Sequence, residues 1–304
     1  MNLAGLDMNL VVALRALLTE RNVTRAGERI GLSQPAMSAA LGRLRRHFGD
    51  ELLARKGSGY ELTALGVVLL DRTGVACEML ELVFGSQPRF DPAREHREFV
   101  LLTSDYALAV VGDQLARQIS AQAPEVRITF RRVPATLIDD PAAQLAAVDG
   151  LFMPHGIING LPAVELFRDR WLCAVAEDNP DVGESITLAQ LGALPWAAYQ
   201  RVYDAPVTRQ LSLLGIEPRV QVSVDSFQAL PAMVAGTRRV AMIQERLAAR
   251  LGLGPGSGIR LLDCPFEAVP VQEALWWHPV HTHDAGHLWL RETAAAAAAG
   301  LVAS

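Results

Sequence analysis

Two short predicted helices, joined at Gly31, are the feature that most limits how this sequence can fold. In residues 22–49, NVTRAGERIGLSQPAMSAALGRLRRHFG, either Asn22 or Thr24 can cap the first helix, and the glycine suits a tight exit turn. Ser33 can accept hydrogen bonds from the first amides of the next helix, whose first turn holds a proline. The spacing therefore predicts a helix-turn-helix.

The second of these helices has one apolar and one polar face. Its apolar residues recur at the 4, 3, 4 spacing of a single buried face: Met37, Leu41, Leu44 and Phe48. The opposite face carries small, polar and basic residues: Gln34, Ser38, Gly42, Arg45 and Arg46. Glutamine can pair with adenine, serine can bond several bases, and arginine binds phosphate or guanine. The pattern favours a DNA recognition helix, although a helical hairpin with solvated arginines has the same spacing.

The flanking segments extend this unit. Residues 7–19 have the apolar periodicity of a covering helix, and residues 51–62 alternate like a hairpin with Arg55 and Lys56 just before its tip. A hairpin there predicts a wing that places cations beside the DNA backbone or minor groove. Residues 63–86 read as one long apolar-striped helix, for which a second copy of the chain is the simplest partner.

Charge is divided unevenly along the chain. The net charge is -5, yet residues 1–63 hold nine basic against six acidic residues, or +3, which leaves -8 for the rest. A basic head on an acidic body is compatible with DNA binding, because phosphate affinity depends on the local patch.

Composition points to a cytoplasmic protein. The chain has three widely spaced cysteines and no apolar run of about 20 residues, the length that spans a membrane. The first residues also lack the basic start and cleavage site of a signal peptide.

After a charged, proline-containing segment at 87–97, strand and helix patterns alternate. Strands are predicted at 98–103, 126–133 and 150–153, and a similar order recurs from Trp196, with a helix predicted over 226–234. This α/β alternation predicts two lobes with parallel sheets. Ligands in such folds bind at the carboxyl ends of strands.

Over nearly its whole length the chain resembles the LysR-type transcriptional regulators. The resemblance rests on TRAGERIGLSQPAMSAALGRLRRHFGDELLAR, the wing ending in ELTALG, the long helix and the blocks at 166–175 and 222–248. These two blocks are similar to the subgroup that includes regulators of nodulation and of aromatic catabolism. It implies a winged helix-turn-helix at 1–63, a dimerising linker helix and hinge at 64–96, and a two-lobed effector domain like a periplasmic binding protein at 97–304. The implied partners are promoter DNA, a small anionic or aromatic effector, and further copies in a homodimer or homotetramer.

The resemblance also assigns DNA contacts. Gln34, Pro35 and Ser38 match the base-reading positions and Arg55 the wing arginine, whereas Ala39 stands where many relatives have arginine. Gly27 replaces the usual alanine, which should cost about 1 kcal/mol of helix stability. The candidate DNA-binding residues are Thr24, Ser33, Gln34, Pro35, Ser38, Arg43, Arg45, Arg46, Arg55 and Lys56.

Effector contacts are implied in both lobes. Ser104 matches the residue that opens the first helix of the effector domain, and the segment from Asp225 to Phe227 matches the equivalent helix start in the second lobe. The candidate effector-binding residues are Ser104, Asp105, Met153, Pro154, His155, Tyr199, Gln200, Asp225, Ser226, Phe227 and Trp276.

Enzymatic alternatives are less favoured. The segment 278–287, HPVHTHDAGH, contains four histidines but no HExxH, and residues 254–258, GPGSG, do not fit a nucleophile elbow. Ser104, Asp105 and His155 resemble a catalytic set, but capping of a helix explains the first two. We expect no catalytic residue, metal or cofactor. The alternatives are a regulator without an effector and a hydrolase or metalloenzyme on the two lobes.

Overall fold

The computed structural model describes residues 7–56, 59–85, 90–199 and 206–301, without the side chains of 56, 78 and 81–85. The chain divides into two compact units, Met1–Ser86 and Gln87–Ser304. No helix in the described part is both long and apolar enough to cross a membrane.

The first unit is a winged helix-turn-helix followed by a long helix. Its elements are α1 (Asn9–Glu20), α2 (Val23–Ile30), α3 (Gln34–Phe48), β1 (Leu53–Lys56), β2 (Gly59–Leu62) and α4 (Ala64–Gly85). β1 and β2 pair antiparallel as the predicted wing, and α1 packs on α2, α3 and α4. The core is built mainly from leucines, together with Ala26 and Met37.

The two helix starts follow from their caps. Asn22, rather than Thr24, caps α2, because its side chain accepts hydrogen bonds from the amides of Thr24 and Arg25 at 2.9 and 3.1 Å. Gly31 then has φ +71°, a left-handed conformation that glycine adopts at little cost. Ser33 caps α3 by accepting from the Ala36 amide at 3.4 Å. The predicted turn is therefore confirmed.

The second unit contains two lobes, each built on a five-stranded sheet. The strands of the first lobe are β3 (Glu98–Thr103), β4 (Arg127–Arg132), β5 (Gly150–Pro154), β6 (Ala163–Asp169) and β12 (Val271–Trp276), in the order β4-β3-β5-β12-β6. Those of the second are β7 (Trp171–Ala176), β8 (Pro195–Tyr199), β9 (Arg219–Val224), β10 (Val240–Gln244) and β11 (Ile259–Asp263), in the order β11-β7-β10-β8-β9.

Helices cover both sheets. They are α5 (Asp105–Ala107), α6 (Asp113–Gln122), α7 (Pro141–Leu145), α8 (Leu188–Ala193), α9 (Pro206–Leu213), α10 (Leu230–Val234), α11 (Glu245–Arg250) and α12 (Ala285–Ala299). A π-helical segment, Leu108–Gly112, joins α5 to α6, and short 3₁₀ helices lie at Ala135–Ile138 and Pro279–His281.

The predicted parallel sheets are mixed in the structure. β3 pairs parallel with β4 and β5, and β8 with β9 and β10, but β12 and β7 pair antiparallel with both of their neighbours. The reason is the crossing between lobes. Parallel neighbours within a lobe are joined through intervening helices, whereas β7 and β12 enter from the other lobe and have no such connection to fix their direction.

In the second lobe, the helix predicted over 226–234 begins later than expected. The segment 225–229 is irregular and α10 begins at Leu230, with Pro231 in its first turn. Asp225, Ser226 and Phe227 are therefore not a helix start. At the matching position of the first lobe the prediction is confirmed, since Ser104 caps α5 and accepts from the Ala107 amide at 3.1 Å.

We predict that Gly27→Ala destabilises the protein. Helix propensity alone favours alanine by about 1 kcal/mol, but a Cβ on Gly27 would lie 2.6 Å from the backbone oxygen of Leu32. The neighbouring turn would have to shift. Urea denaturation, followed by the helical circular dichroism signal, measures the change.

Gly42→Ala is the matched control. Gly42 lies in α3, and its nearest neighbour to an added Cβ is the Arg46 guanidinium at 3.9 Å, an ordinary contact. This variant should gain up to about 1 kcal/mol. Equal stabilisation by both substitutions would contradict the explanation.

Candidate functional site

The N-terminal half of α3 presents an exposed polar face. Ser33, Gln34, Pro35 and Ser38 are exposed, while Met37 is fully buried in the core of the first unit. Gln34 and Ser38 are four residues apart, so their side chains lie on one side of the helix. Burial of the apolar face thus fixes which polar groups point outwards.

The candidate arginines of this unit have different surroundings. Arg45 donates to the backbone oxygens of Glu51 and Leu53 at 2.9 and 3.1 Å and pairs with the Glu51 carboxylate at 2.8 Å. It therefore ties α3 to the start of the wing. Arg43 pairs with Asp7 at 3.1 Å at an exposed position.

Thr24 and two of the candidate arginines are exposed to solvent. Arg46 and Arg55 are exposed and have no ion pair with the described residues. Arg55 lies on the wing opposite Tyr60. The side chain of Lys56 lies outside the described part of the structure.

The base of the wing is fixed by an aspartate. Asp50 accepts from the Leu52 amide at 2.6 Å and from the Thr63 hydroxyl at 2.7 Å, which lowers the pKa of Asp50, the Thr63 bond having the larger effect. These bonds hold together the two ends of the hairpin, so the wing leaves the helices in a defined direction.

In the second unit a cavity of about 50 Å³ lies between the two lobes. Its wall contains five aromatic rings and no acidic or basic side chain apart from histidine. The lining residues are Ser104, Tyr106, Phe152, Met153, Pro154, His155, Ile157, Trp171, Tyr199, Pro206, Phe227, Gln244, Val269, Pro270 and Val271.

Six of the predicted effector residues meet at this cavity. They are Ser104, Met153, Pro154, His155, Tyr199 and Phe227. The rings of Tyr199 and Phe227 stack at 3.7 Å with an interplanar angle of 12°. Ser104, Met153, Pro154 and His155 belong to the first lobe, whereas Tyr199 and Phe227 belong to the second. The cavity wall therefore combines residues from both lobes, at or near the carboxyl ends of strands.

The other predicted effector residues lie elsewhere. Trp276 is buried behind the wall, where its indole N–H donates to the Met153 backbone oxygen at 2.8 Å, so it does not line the cavity. Asp105, Asp225 and Ser226 form bridges between the lobes and are not in the lining. Gln200 lies outside the described residues.

Nine lining residues were not anticipated. Tyr106 lies two positions after Ser104. Gln244 is the last residue of strand β10, so the rule that ligands bind at strand ends could have indicated it. Trp171 and the segment 269–271 come from the two crossings between lobes. Nothing in their local pattern indicated that the chain crosses there.

Two polar atoms in the lining have no hydrogen-bond partner among the described residues. Gln244 is 2% exposed with its Oε1 unpaired, and His155 has its Nε2 unpaired. A buried polar atom without a partner costs roughly 1–3 kcal/mol, which a hydrogen-bonding ligand can recover. The cavity therefore offers hydrogen bonds within an aromatic wall.

Behind the cavity lies an acidic cluster at the lobe crossing. The Tyr106 hydroxyl donates to Asp169 Oδ2 at 2.8 Å, and the amides of Arg170 and Arg246 also donate to Asp169. Glu273 is 1% exposed, and its carboxyl has no hydrogen-bond partner among the described residues. Burial, together with the nearby Asp169 charge, raises the pKa of Glu273 to about 8.

The histidines of the C-terminal segment have structural surroundings. The rings of His281 and His287 stack at 5.1 Å, and His287 bonds the backbone oxygen of Asp149. The His278 ring accepts from the Val280 amide at 3.2 Å and caps a 3₁₀ helix. Burial lowers the pKa of His287 to about 3, which keeps its ring neutral.

Comparison with known proteins agrees with this architecture. The helix-turn-helix model described as "Bacterial regulatory helix-turn-helix protein, lysR family" matches residues 8–67, and the "LysR substrate binding domain" model matches residues 94–299. Nodulation protein D 2 of Rhizobium leguminosarum bv. phaseoli is 33% identical over 298 residues, which cover 96% of this chain and 92% of that protein. Nodulation protein D 2 of Rhizobium tropici is 32% identical over 295 residues, or 96% and 93% of the two chains.

A solved structure has a similar fold. The crystal structure of a probable transcriptional regulator from Pseudomonas aeruginosa aligns with a TM-score of 0.66 at 25% sequence identity. The alignment covers 96% of this chain and 97% of that one.

We predict that Glu273 makes stability fall with rising pH. From the ordinary value of 4.5 up to about 8, the unfolded chain loses the Glu273 proton while the folded chain keeps it. The free energy of unfolding therefore decreases across this window, by up to about 1.4 kcal/mol per pH unit from this group. Glu273→Gln, which cannot ionise, should remove that contribution.

Urea denaturation at several pH values checks this. Glu267→Gln is the control, because Glu267 is exposed. Identical pH slopes for the wild type and Glu273→Gln would show that Glu273 is not held protonated.

Proposed function

Because the chain belongs to the LysR family of bacterial transcriptional regulators, we propose that it reads promoter DNA bases with the first turns of α3. The observation that carries this proposal is the exposed face of Gln34 and Ser38 opposite the buried Met37. A helix fixed on one side and polar on the other fits the major groove, which displays a distinct donor and acceptor pattern for each base pair.

The side chains divide into two roles. We assign base contacts to Gln34, Pro35 and Ser38. Backbone contacts are assigned to the helix start at Ser33 and to exposed or basic residues around it: Thr24, Arg43, Arg46, Arg55 and Lys56. Arg45 is left with a structural role, since its guanidinium already binds two wing carbonyls and a carboxylate.

We further propose that two or four copies assemble through α4, so that residues 64–96 act as linker between the head at 1–63 and the sensor at 97–304. Val67 and Val68 of α4 are 53% and 45% exposed, an apolar surface that a second copy could cover. Paired heads would contact half-sites about one helical turn apart. Such a regulator acts in the cytoplasm, where the bacterial chromosome lies.

The cavity between the lobes is proposed as the effector site. Five aromatic rings and two unpaired polar atoms favour an aromatic ligand with a hydrogen-bonding group over an inorganic anion. Its volume of about 50 Å³ is well below the ~300–1,000 Å³ of typical ligand pockets. The lobes must therefore move apart to admit an aromatic ring. A ligand that binds the open lobes more tightly than the closed ones can change DNA affinity only through this difference in its own affinity for the two states.

We propose no catalytic role for this cavity. Ser104 is engaged in capping α5, and the Asp105 carboxylate binds Ser226 and Gln228. No hydrogen bond joins Ser104 to His155 among the described residues, so a nucleophile and base pair is not assembled.

Substitution of Gln34 should separate base reading from backbone binding. Gln34→Ala should lower the affinity for an operator duplex by roughly 1–3 kcal/mol and leave the affinity for a random duplex nearly unchanged. Arg46→Gln, the matched variant, should weaken both duplexes alike and reduce the salt slope by about one. Fluorescence anisotropy at several salt concentrations measures both. If Gln34→Ala and Arg46→Gln weaken the two duplexes in the same way, α3 does not read bases.

A ligand screen tests the cavity. In the intact protein, thermal unfolding with phenol and related uncharged aromatics should show a stabilising ligand whose shift is lost in Phe227→Leu, because the aromatic wall is broken. Leu213→Ala, at an 87% exposed position, is the control and should keep the shift. An equal shift in all three proteins would remove the cavity from the site. No shift with any aromatic would favour a regulator without an effector.

A further inference from the structure

The Asp105 carboxylate reaches across the cleft into a pair of hydrogen-bond donors from the other lobe. Its Oδ2 accepts from the Ser226 hydroxyl at 2.7 Å and from the Gln228 amide at 3.0 Å. The Gln228 side chain returns a bond to the Asp105 backbone oxygen at 3.1 Å. One carboxylate oxygen therefore sits in a cradle of two donors that belong to a different lobe.

This cradle has the chemistry of a carboxylate-binding site. A hydroxyl and a backbone N–H converge on one ionised oxygen, and hydrogen bonds of that kind are among the stronger ones in proteins. The donors flank Phe227, whose ring lines the cavity, and Asp105 follows Ser104, which also lines it. The cradle therefore lies at the edge of the cavity, next to two of its lining residues.

The remaining wall offers an anion no compensating charge. Its lining contains no arginine or lysine. Arg132, which bridges the lobes on the same side, already pairs with the Asp225 carboxylate at 3.1 Å and donates to the Asp225 backbone oxygen at 3.0 Å. An acidic ligand would thus bring a second negative charge close to Asp105, with no cation in the lining to offset it.

We propose that Asp105 occupies, from within the chain, the position at which the carboxylate of an acidic ligand would bind, and so restricts the cavity to uncharged ligands. Asp105 is then a specificity-determining residue and also a latch between the lobes. The specificity statement rests on the proposed role of the cavity as the effector site. The proposal favours an uncharged aromatic effector over an anionic one, a choice that the sequence alone leaves open.

Removal of the carboxylate should create a site for a free one. Asp105→Ala leaves the Ser226 hydroxyl and the Gln228 amide without their acceptor and should lower the melting temperature by roughly 3–6 °C. Acetate, which matches the missing group, should raise the melting temperature of this variant again. Acetamide, of the same shape but uncharged, should do so much less. Both are titrated into the intact protein at matched ionic strength.

Three proteins serve as controls. Wild type and Asp105→Asn, in which a side-chain oxygen still fills the cradle, should respond equally to acetate and acetamide. Asp225→Ala removes the carboxylate of an exposed bridge between the same lobes and should show no acetate preference either. An acetate response in Asp225→Ala, or none in folded Asp105→Ala, would overturn the proposal.

Asp105→Asn tests the proposal without emptying the cradle. Losing the negative charge should raise the affinity for benzoate relative to benzamide by about tenfold, as expected for roughly 1.4 kcal/mol of removed repulsion. An unchanged ratio would contradict the specificity role. Neither assay involves DNA. If the protein selects its operator but gives a contradicting result in these assays, only the inference about Asp105 fails and the proposed DNA binding stands.

Discussion

Burial of one face of α3 is the constraint on which the DNA-binding unit depends. Met37, Leu41 and Leu44 pack into a leucine-rich core, so the helix can rotate very little about its axis. The Ser33 cap and the Gly31 turn then fix where the helix begins. Together they leave Gln34 and Ser38 exposed on the face that we propose reads DNA bases.

In the second unit the short crossing at Arg170 has the comparable role. One residue between β6 and β7 places two sheets side by side, with aromatic side chains from both around a single cavity. Tyr106 connects the cavity wall to Asp169 at that crossing. The cavity wall is therefore hydrogen-bonded directly to a residue beside the crossing between the lobes.

Local patterns predicted the elements but not the relations between distant ones. Caps, turns and most strands depend on neighbouring residues, so Ser33, Ser104 and the wing were found from sequence. The different surroundings of Arg45 and Arg46 depend on where Glu51 lies. The irregular segment 225–229 before α10 supplies the hydrogen-bond donors that bind Asp105 of the other lobe. The antiparallel strands follow from the crossing between lobes. Spacing along the chain records none of these contacts.

Selection of duplexes from a random-sequence pool by the intact protein tests the central claim most directly. If the exposed turn of α3 reads bases and two copies act together, the bound fraction should converge on a near-palindrome whose half-sites lie about one or a few helical turns apart. A bound fraction with no enriched sequence, at any salt concentration that permits binding, would contradict the account.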